Sequence, residues 1–342
     1  MATTGRDRNW AVLLINLGTP EAPTPAAVRR YLAEFLWDRR VVELPRPLWW
    51  PILHGFVLRV RPRRSARAYR AIWTEAGSPL LTLSLSLAEA VRTELSARRG
   101  QAVLVELAMR YGKPGIAERL EALSTQGAER ILILPLYPQY SASSTGSAFD
   151  AVAAALTRRR RVPELQFVSD YFAHPSYIAA LAERILEFWR VRGRARFLLM
   201  SFHGLPERSR ELGDPYHEQC QASARLIARH LGLEDGAWQV AFQSRFGPAR
   251  WLKPYCIDVL RALPQQGIRE VDVVCPGFAV DCLETLEEIG IVNQAAFLRA
   301  GGARCRLIPA LNDSPEHARA LVDLILARIP PAWTEPGRPE AL

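Results

Sequence analysis

The sequence predicts an α/β protein of two similar lobes, each a four-stranded parallel sheet flanked by helices, with a cleft between them at the carboxyl ends of the strands. Two observations carry this. Short apolar runs occur in two sets of four, at residues 10–17, 102–109, 130–136 and 165–170, then at 197–202, 238–242, 271–278 and 305–310. Each gap within a set is long enough for the crossover helix that parallel strands require. The text after the strands also repeats. Met109-Arg110-Tyr111-Gly112 is answered by Ser244-Arg245-Phe246-Gly247, each with a proline close behind. Phe172-Ala173-His174-Pro175 is answered by Asn312-Asp313-Ser314-Pro315. The lobes are therefore expected at residues 10–168 and 169–329, with residues 330–342 a Pro-rich flexible tail.

The bulk numbers bound the function. The chain has 342 residues, 49% hydrophobic and 23% charged, which suits a soluble globular protein with room for two cores. The formal charge is +9, and lysine occurs only at Lys113 and Lys253, leaving 42 of the 44 basic residues as arginine. The arginines are dispersed and never interleaved with aromatics as a basic run, which argues against a dedicated nucleic-acid surface. Attraction to acidic ligands or anionic lipid stays open. Five cysteines, Cys220, Cys256, Cys275, Cys282 and Cys305, stand singly without a C-x-x-C pair. That fits reduced cytosolic thiols, with neither a disulfide framework nor a zinc or iron–sulfur site. MATTGRDRNW lacks an apolar signal core, and no apolar run reaches the roughly 20 residues of a membrane span.

Taken in order, residues 1–9 read as a loose polar lead-in and residues 10–17 as a continuous apolar strand broken by Gly18-Thr19-Pro20. A helix is expected from Thr24, with Pro25 in its first turn and Val28, Tyr31, Leu32 and Phe35 on one face. Residues 41–64 are too Pro-broken for a long helix and too apolar for a routine loop. Trp49, Trp50, Ile52, Leu53, Phe56 and Leu58 cluster there beside Arg46, Arg59, Arg61, Arg63 and Arg64. Two readings stay open: ordinary core, or an exposed amphipathic lip that grips a large apolar ligand or leans on a membrane. A turn at residues 76–79 precedes a helix through about Arg98.

Four strand ends carry pointed chemistry. His203, in SFHGLP, sits just past a buried run where the backbone turns, so its imidazole can face the cleft, and neutral imidazole suits Fe(II) and its neighbours. Asp281, Glu284, Glu287 and Glu288 follow the strand at 271–278, and helical spacing sets Asp281, Glu284 and Glu288 on one face. Acidic groups in a first helical turn are also ordinary dipole partners. One histidine with carboxylates is too few for a closed structural zinc site and suits a transient metal site, while a carboxylate in an apolar cleft can accept a proton near neutrality. The hydroxyl-rich loop at 137–146 is either a cradle for a carboxylate or phosphate, or simply turn and cap residues. Arg110-Tyr111 sets a cation beside an aromatic, fit for an anion or a flat π-system. No Walker motif and no G-x-G-x-x-G follows any strand.

These residues, together with LLINLGTP (13–20), MRYG (109–112), LYPQYSASSTGS (136–147), SFHGLP (201–206), GDPYHEQC (213–220), FQSRFGPARWLKP (242–254) and PGFAVDCLETLEEI (276–289), resemble the ferrochelatase family in order along most of the chain. The resemblance implies two Rossmann-like chelatase lobes and a lyase that inserts Fe(II) into protoporphyrin IX, giving protoheme and releasing two protons, the terminal step of heme biosynthesis. It implies that His203 and Glu284 are the catalytic and metal-binding pair, with Asp281, Glu287 and Glu288 a path for protons and metal. Arg110, Tyr111, Tyr137, Ser144, Leu17, Trp49 and Trp50 correspond to the porphyrin-facing set, and residues 41–64 to the lip. Cys282 stands where animal members carry a second histidine, and no Cys-rich extension follows, so no iron–sulfur cluster and no tightly bound cofactor are expected. Iron is then a substrate, and the enzyme is cytoplasmic or peripheral at the inner face of the membrane through its lip. The rivals are a coproporphyrin ferrochelatase or cobalt chelatase, a porphyrin or heme carrier without insertion activity, and a two-lobed sugar-nucleotide transferase sharing only gross architecture.

Overall fold

The first apolar run becomes strand β1 (Trp10–Gly18), buried almost throughout, and Thr24 caps helix α1 (Pro25–Trp37) by accepting from Ala27 N. The structure, a computed structural model, describes residues 10–157, 159–245, 247 and 249–333. The expected lead-in and the tail beyond residue 333 lie outside the described residues.

The lip departs from expectation. Rather than breaking at its prolines, the chain runs helically from Arg46 to Ile72, through α2 (Arg46–Ile52), a π-helical turn (Leu53–Val57) and α3 (Leu58–Ile72). Pro47 occupies the first turn of α2, where no N–H is needed. Pro51 and Pro62 lie inside helices, each omitting one intrahelical bond, and the widened turn after Pro51 takes up the offset. Trp49 is buried, its Nε1 donating to Leu36 O at 2.8 Å, while Trp50 is 57% and Phe56 66% exposed. One face of the segment is thus core and the other is exposed and apolar.

Helix α4 (Pro79–Arg99) leads to β2 (Leu104–Tyr111), α5 (Ile116–Thr125), β3 (Arg130–Pro135), α6 (Ser147–Leu156) and β4 (Glu164–Phe167). Helix α7 (Pro175–Arg192) opens the second half: β5 (Phe197–His203), α8 (Glu207–Glu211), α9 (Tyr216–His230), β6 (Trp238–Gln243), α10 (Cys256–Ala262), β7 (Glu270–Val274), a π-helix (Glu284–Asn293), α11 (Gln294–Arg299), β8 (Arg304–Leu307) and α12 (Pro315–Arg328). All eight expected strands form. The seventh stops at Val274, short of residue 278, because Pro276 has no N–H for a ladder and the chain turns there, Phe278 N donating to Cys275 O. The sheets are ordered β2-β1-β3-β4 and β6-β5-β7-β8, all parallel, so each half repeats the other's topology.

The second textual repeat is structural: His174 N donates to Tyr171 O at 3.0 Å ahead of α7, and Ser314 N to Leu311 O at 3.2 Å ahead of α12. The first is not matched bond for bond, since Met109 N donates to Pro114 O at 2.6 Å but Phe242, not Ser244, donates to Pro254 O at 2.8 Å. Alternation along each strand then builds the layers. Val12 and Leu14 of β1, with Leu198, Met200 and Phe202 of β5, share one continuous core with α4, α7, α9 and α12, which lie between the sheets. Leu13 and Ile15 face α5 and α6, and Leu199 and Val273 face α10 and α11. A further cluster packs Val28, Tyr31 and Leu32 of α1, with Trp49 and Leu53 of the lip, onto Tyr111 at the tip of β2.

Candidate active site

β1 and β5 are inner strands of their respective sheets. Both need glycine to let a neighbour in. Gly18 has φ +108, and a Cβ there would meet Tyr111 O at 1.9 Å, while a Cβ on Gly204 would stand 2.6 Å from Gln243 O. Gly204 N instead donates to that oxygen at 2.7 Å, holding β5 and β6 together just past His203, whose register partner is Gln243.

His203 is half-buried, and its Nδ1 lies 2.7 Å from Gly204 O. A carbonyl only accepts, so Nδ1 carries a proton, and Nε2 is the ring nitrogen left to meet a metal or a proton. Behind it, Tyr216 on α9 is buried and bonded to the His203 backbone.

Glu284 opens the π-helix from the other side. It lines a cavity of about 10 Å³ with Leu17, Thr19, Tyr31, Tyr69, Ser78 and Leu283, room for a single water. Burial first, then for Tyr69 the charge of Glu284, push the Tyr31 and Tyr69 phenols well above their ordinary range, so both stay protonated donors. Arg61 on α3 is drawn down by burial and held up by Glu284 and Tyr69, which sets a cation in the same space. Thr19 and Ser78 hydroxyls pair at 2.8 Å beside it.

Gln243 ties the halves of the site together. Its amide nitrogen donates to Glu284 O at 2.7 Å, and its oxygen accepts from Ser201 Oγ at 2.7 Å, so the strand tip bearing His203 and the helix start bearing Glu284 share one buried side chain. Ser244, in the left-handed region at φ +65, donates from both N (2.7 Å) and Oγ to the Glu288 carboxylate. Such strain in a non-glycine residue persists only where surroundings impose it. The Glu287 carboxyl is raised by burial and by neighbouring Glu288.

The acidic ladder is thus shorter than its spacing suggests. Asp281 precedes the π-helix and is buried, accepting from Thr285 Oγ1 (2.8 Å) and Asn312 Nδ2 (2.8 Å). Its carboxylate is taken up by Thr285 in the first turn of that helix and by Ala310 N and Asn312 in the loop before α12. The wider π turn also spoils the face expected of an α-helix.

Arg110 and Tyr111 close β2 and both donate to Asp38, with Tyr111 Oη at 2.8 Å. Leu17 is half-buried on the cavity wall. Tyr137 Oη is buried without a partner, its phenol raised by burial. Ser144 lies in a π-helical turn (Ala142–Gly146), bonded to Ser141 O. The anion seat expected in that loop is filled from within, since Ala142 N donates to Asp214 at 2.8 Å. Sequence reasoning assigned no role to Gln243, Tyr31, Tyr69 or Asp38. Gln243 alone carried a signal, standing at a strand end inside the stretch 242–254. Among the described residues, no three of His, Cys, Asp and Glu gather as a ligand set.

The family model described as Ferrochelatase matches residues 9–329. The relative named "Ferrochelatase" from Nitrosococcus oceani is 56% identical over 324 residues, covering 95% of this chain and 88% of that one. Its counterpart from Methylococcus capsulatus is 59% identical over 314 residues, covering 92% and 95%. Among solved structures, SirB from Bacillus subtilis with Fe3+ superposes with a TM-score of 0.55 at 13% identity, covering 94% of this chain and 95% of that one. At that identity it speaks for the two-lobed fold alone.

Proposed function

The chain belongs to the ferrochelatase family and is an enzyme that inserts iron into porphyrin for heme biosynthesis; from that premise we propose that its porphyrin is protoporphyrin IX, that its class is lyase, and that His203 and Glu284 carry the chemistry. The single observation supporting this is Gln243, which hydrogen-bonds the segment of one residue while pairing with the strand of the other.

Insertion replaces two pyrrole protons by Fe(II), so the site has to take two protons and steer one metal ion. His203 Nε2 accepts a pyrrole proton or holds the incoming Fe(II) at the ring centre. Glu284 meets the metal from the other side as a carboxylate, and takes a proton. The raised carboxyl of Glu287 passes protons toward solvent, while Glu288, fixed on Ser244, neutralises the incoming cation. Asp281, saturated by Thr285 and Asn312, steadies the start of the π-helix instead of conducting. Arg61, with the hydroxyls of Tyr69 and Ser78, supplies cation and donors for an acidic edge of the ring. Leu17 and Leu283, with the lip, supply apolar wall. Arg110, Tyr111, Tyr137 and Ser144, at and beyond the ends of β2 and β3, are proposed to meet the ring from that side.

We further propose that the enzyme works without an iron–sulfur cluster or resident cofactor; its five cysteines are buried, and burial raises each thiol, which favours the protonated form over a metal-binding thiolate. No described helix is long and apolar enough to cross a membrane. Leu48, Trp50, Ile52, Phe56 and Val60 face outward from the lip beside Arg59 and Arg63, which supports cytoplasmic work with the lip leaning on an anionic membrane face. Flotation with phosphatidylglycerol vesicles tests it: Trp50→Ser with Phe56→Ser should abolish co-flotation, and undiminished flotation would count against the lip.

The mechanism is tested by His203→Ala and Glu284→Gln in a zinc-insertion fluorescence assay, with porphyrin binding measured separately. Both should bind porphyrin and fail to insert; full turnover in either removes that residue. A competition between dicarboxylate and tetracarboxylate porphyrins tests the choice of protoporphyrin.

A further inference from the structure

Where the chain leaves α1 for the lip, a single carboxylate gathers more partners than any ordinary helix end requires. Asp38 caps the C-terminus of α1, and one of its oxygens, Oδ2, accepts from Arg110 Nη2, from Tyr111 Oη at 2.8 Å and from Ser147 Oγ at 2.6 Å. Its other oxygen takes Arg40 N at 2.7 Å. Arg110 is held from behind as well, its Nε donating to Ser147 O at 2.9 Å and Oγ at 2.6 Å. The side chains of Asp38 and Arg110 are 7% and 18% exposed, so this is a desolvated charge pair, comparable in burial to Arg306–Asp272 and unlike exposed pairs such as Arg30–Glu21. Two flanking contacts pin the same root: Glu34 accepts from Gly112 N at 3.0 Å, and Arg40 grips Asp150 at 2.8 and 3.0 Å. The anchors are all on the β2 tip and the start of α6, and the helices they hold carry the aromatic lip.

We propose that Asp38 is a positioning residue: its carboxylate fixes the root of the lip and the aim of Arg110 and Tyr111, so that the lip closes on porphyrin as one body. This rests on reading the cleft as the porphyrin site. Asp38 touches no reacting atom. Its loss therefore weakens capture of the ring and leaves proton removal alone.

Asp38→Asn keeps the shape but removes the charge facing Arg110 and replaces one of two accepting oxygens by an NH2 group. In the full chain, the porphyrin KM should rise about tenfold, the factor one charge-assisted hydrogen bond commands. The kcat should stay within about twofold, and trypsin should cut the lip, after Arg59 or Arg63, about tenfold faster in the absence of porphyrin. Ser147→Ala, which removes one donor and no charge, should move both readouts the same way by less, and it serves if the first variant does not fold. Asp38→Asn combined with Arg110→Gln should cost no more than either alone, because the two act as one unit. Wild-type KM and trypsin rate in these variants would overturn the proposal, as would a loss of kcat at unchanged KM. Glu284→Gln should lose insertion while keeping the wild-type trypsin pattern, so failure of the metal-insertion reading shows in a different measurement.

Discussion

Replacing Gln243 by leucine probes the joint between the two halves of the site. Leucine keeps much of the volume and offers no polar atom. The change removes two short hydrogen bonds, to Glu284 O and from Ser201 Oγ, each 2.7 Å. The approaches to Glu288 at 3.5 Å and Cys275 at 3.7 Å are too long to add much. Ser201 is fully buried and cannot turn to water. Each short bond is worth about 1 kcal/mol net, and a stranded buried partner costs about 1 kcal/mol or more besides, so the total is about 3 kcal/mol. Urea unfolding should show a lower midpoint at unchanged slope. Because the helix start bearing Glu284 loses its tether, kcat for zinc insertion should fall about a hundredfold, the usual result of a misplacement near 1 Å. The porphyrin KM should barely move, since the lip is untouched. A stability loss below about 0.5 kcal/mol with full turnover would refute the idea that this side chain joins the two segments.

Three further tests use other parts of the fold. Gly18→Ala should destabilise by at least about 2 kcal/mol by thermal unfolding, since φ +108 disfavours any side chain and the new Cβ would collide with Tyr111 O; an unchanged Tm would show that the β1–β2 tip can open. Burial holds His317 neutral, its pKa pushed down from 6.5 to about 4. The unfolded chain therefore takes up this proton first as pH falls, so stability is complete above about pH 6.5 and about 3 kcal/mol of it is gone by about pH 4. His317→Gln should flatten that arm of the stability curve, and parallel curves would contradict the assignment. Removing Arg306 strands Asp272, which is fully buried and also takes Trp189 Nε1. Arg306→Ala should cost about 3 kcal/mol or more in urea unfolding, against less than about 1 kcal/mol for Arg30→Ala in an exposed pair; equal losses would show that the buried carboxylate finds water.

The strands were legible because a parallel sheet covered on both faces needs continuous apolar runs, and eight such runs stood in the text. His203 and the Glu284 segment were legible for a related reason: each stands beside a strand end, where α/β sheets present side chains to a cleft. The lip was misjudged because proline in isolation forbids what a π turn and a supporting core permit, as at Pro51 and Pro62. Helical spacing likewise joined Asp281 to Glu284, although Asn312, 31 residues on in the chain, takes up the aspartate. That Arg110 and Tyr111 are tied to Asp38, 72 and 73 residues away, is signalled by nothing local. Trp49 and Trp50 were inseparable in sequence, and only the fold puts one in the core and one outside. Local pattern fixes elements and strand ends; partners distant in sequence decide which side chains stay free.

The most direct measurement is a crystal structure of the protein with a metal-free porphyrin bound. The account predicts His203 Nε2 on one face of the ring and the Glu284 carboxylate on the other, both within reach of the pyrrole nitrogens. A ring centred elsewhere, with neither group facing those nitrogens, would contradict it.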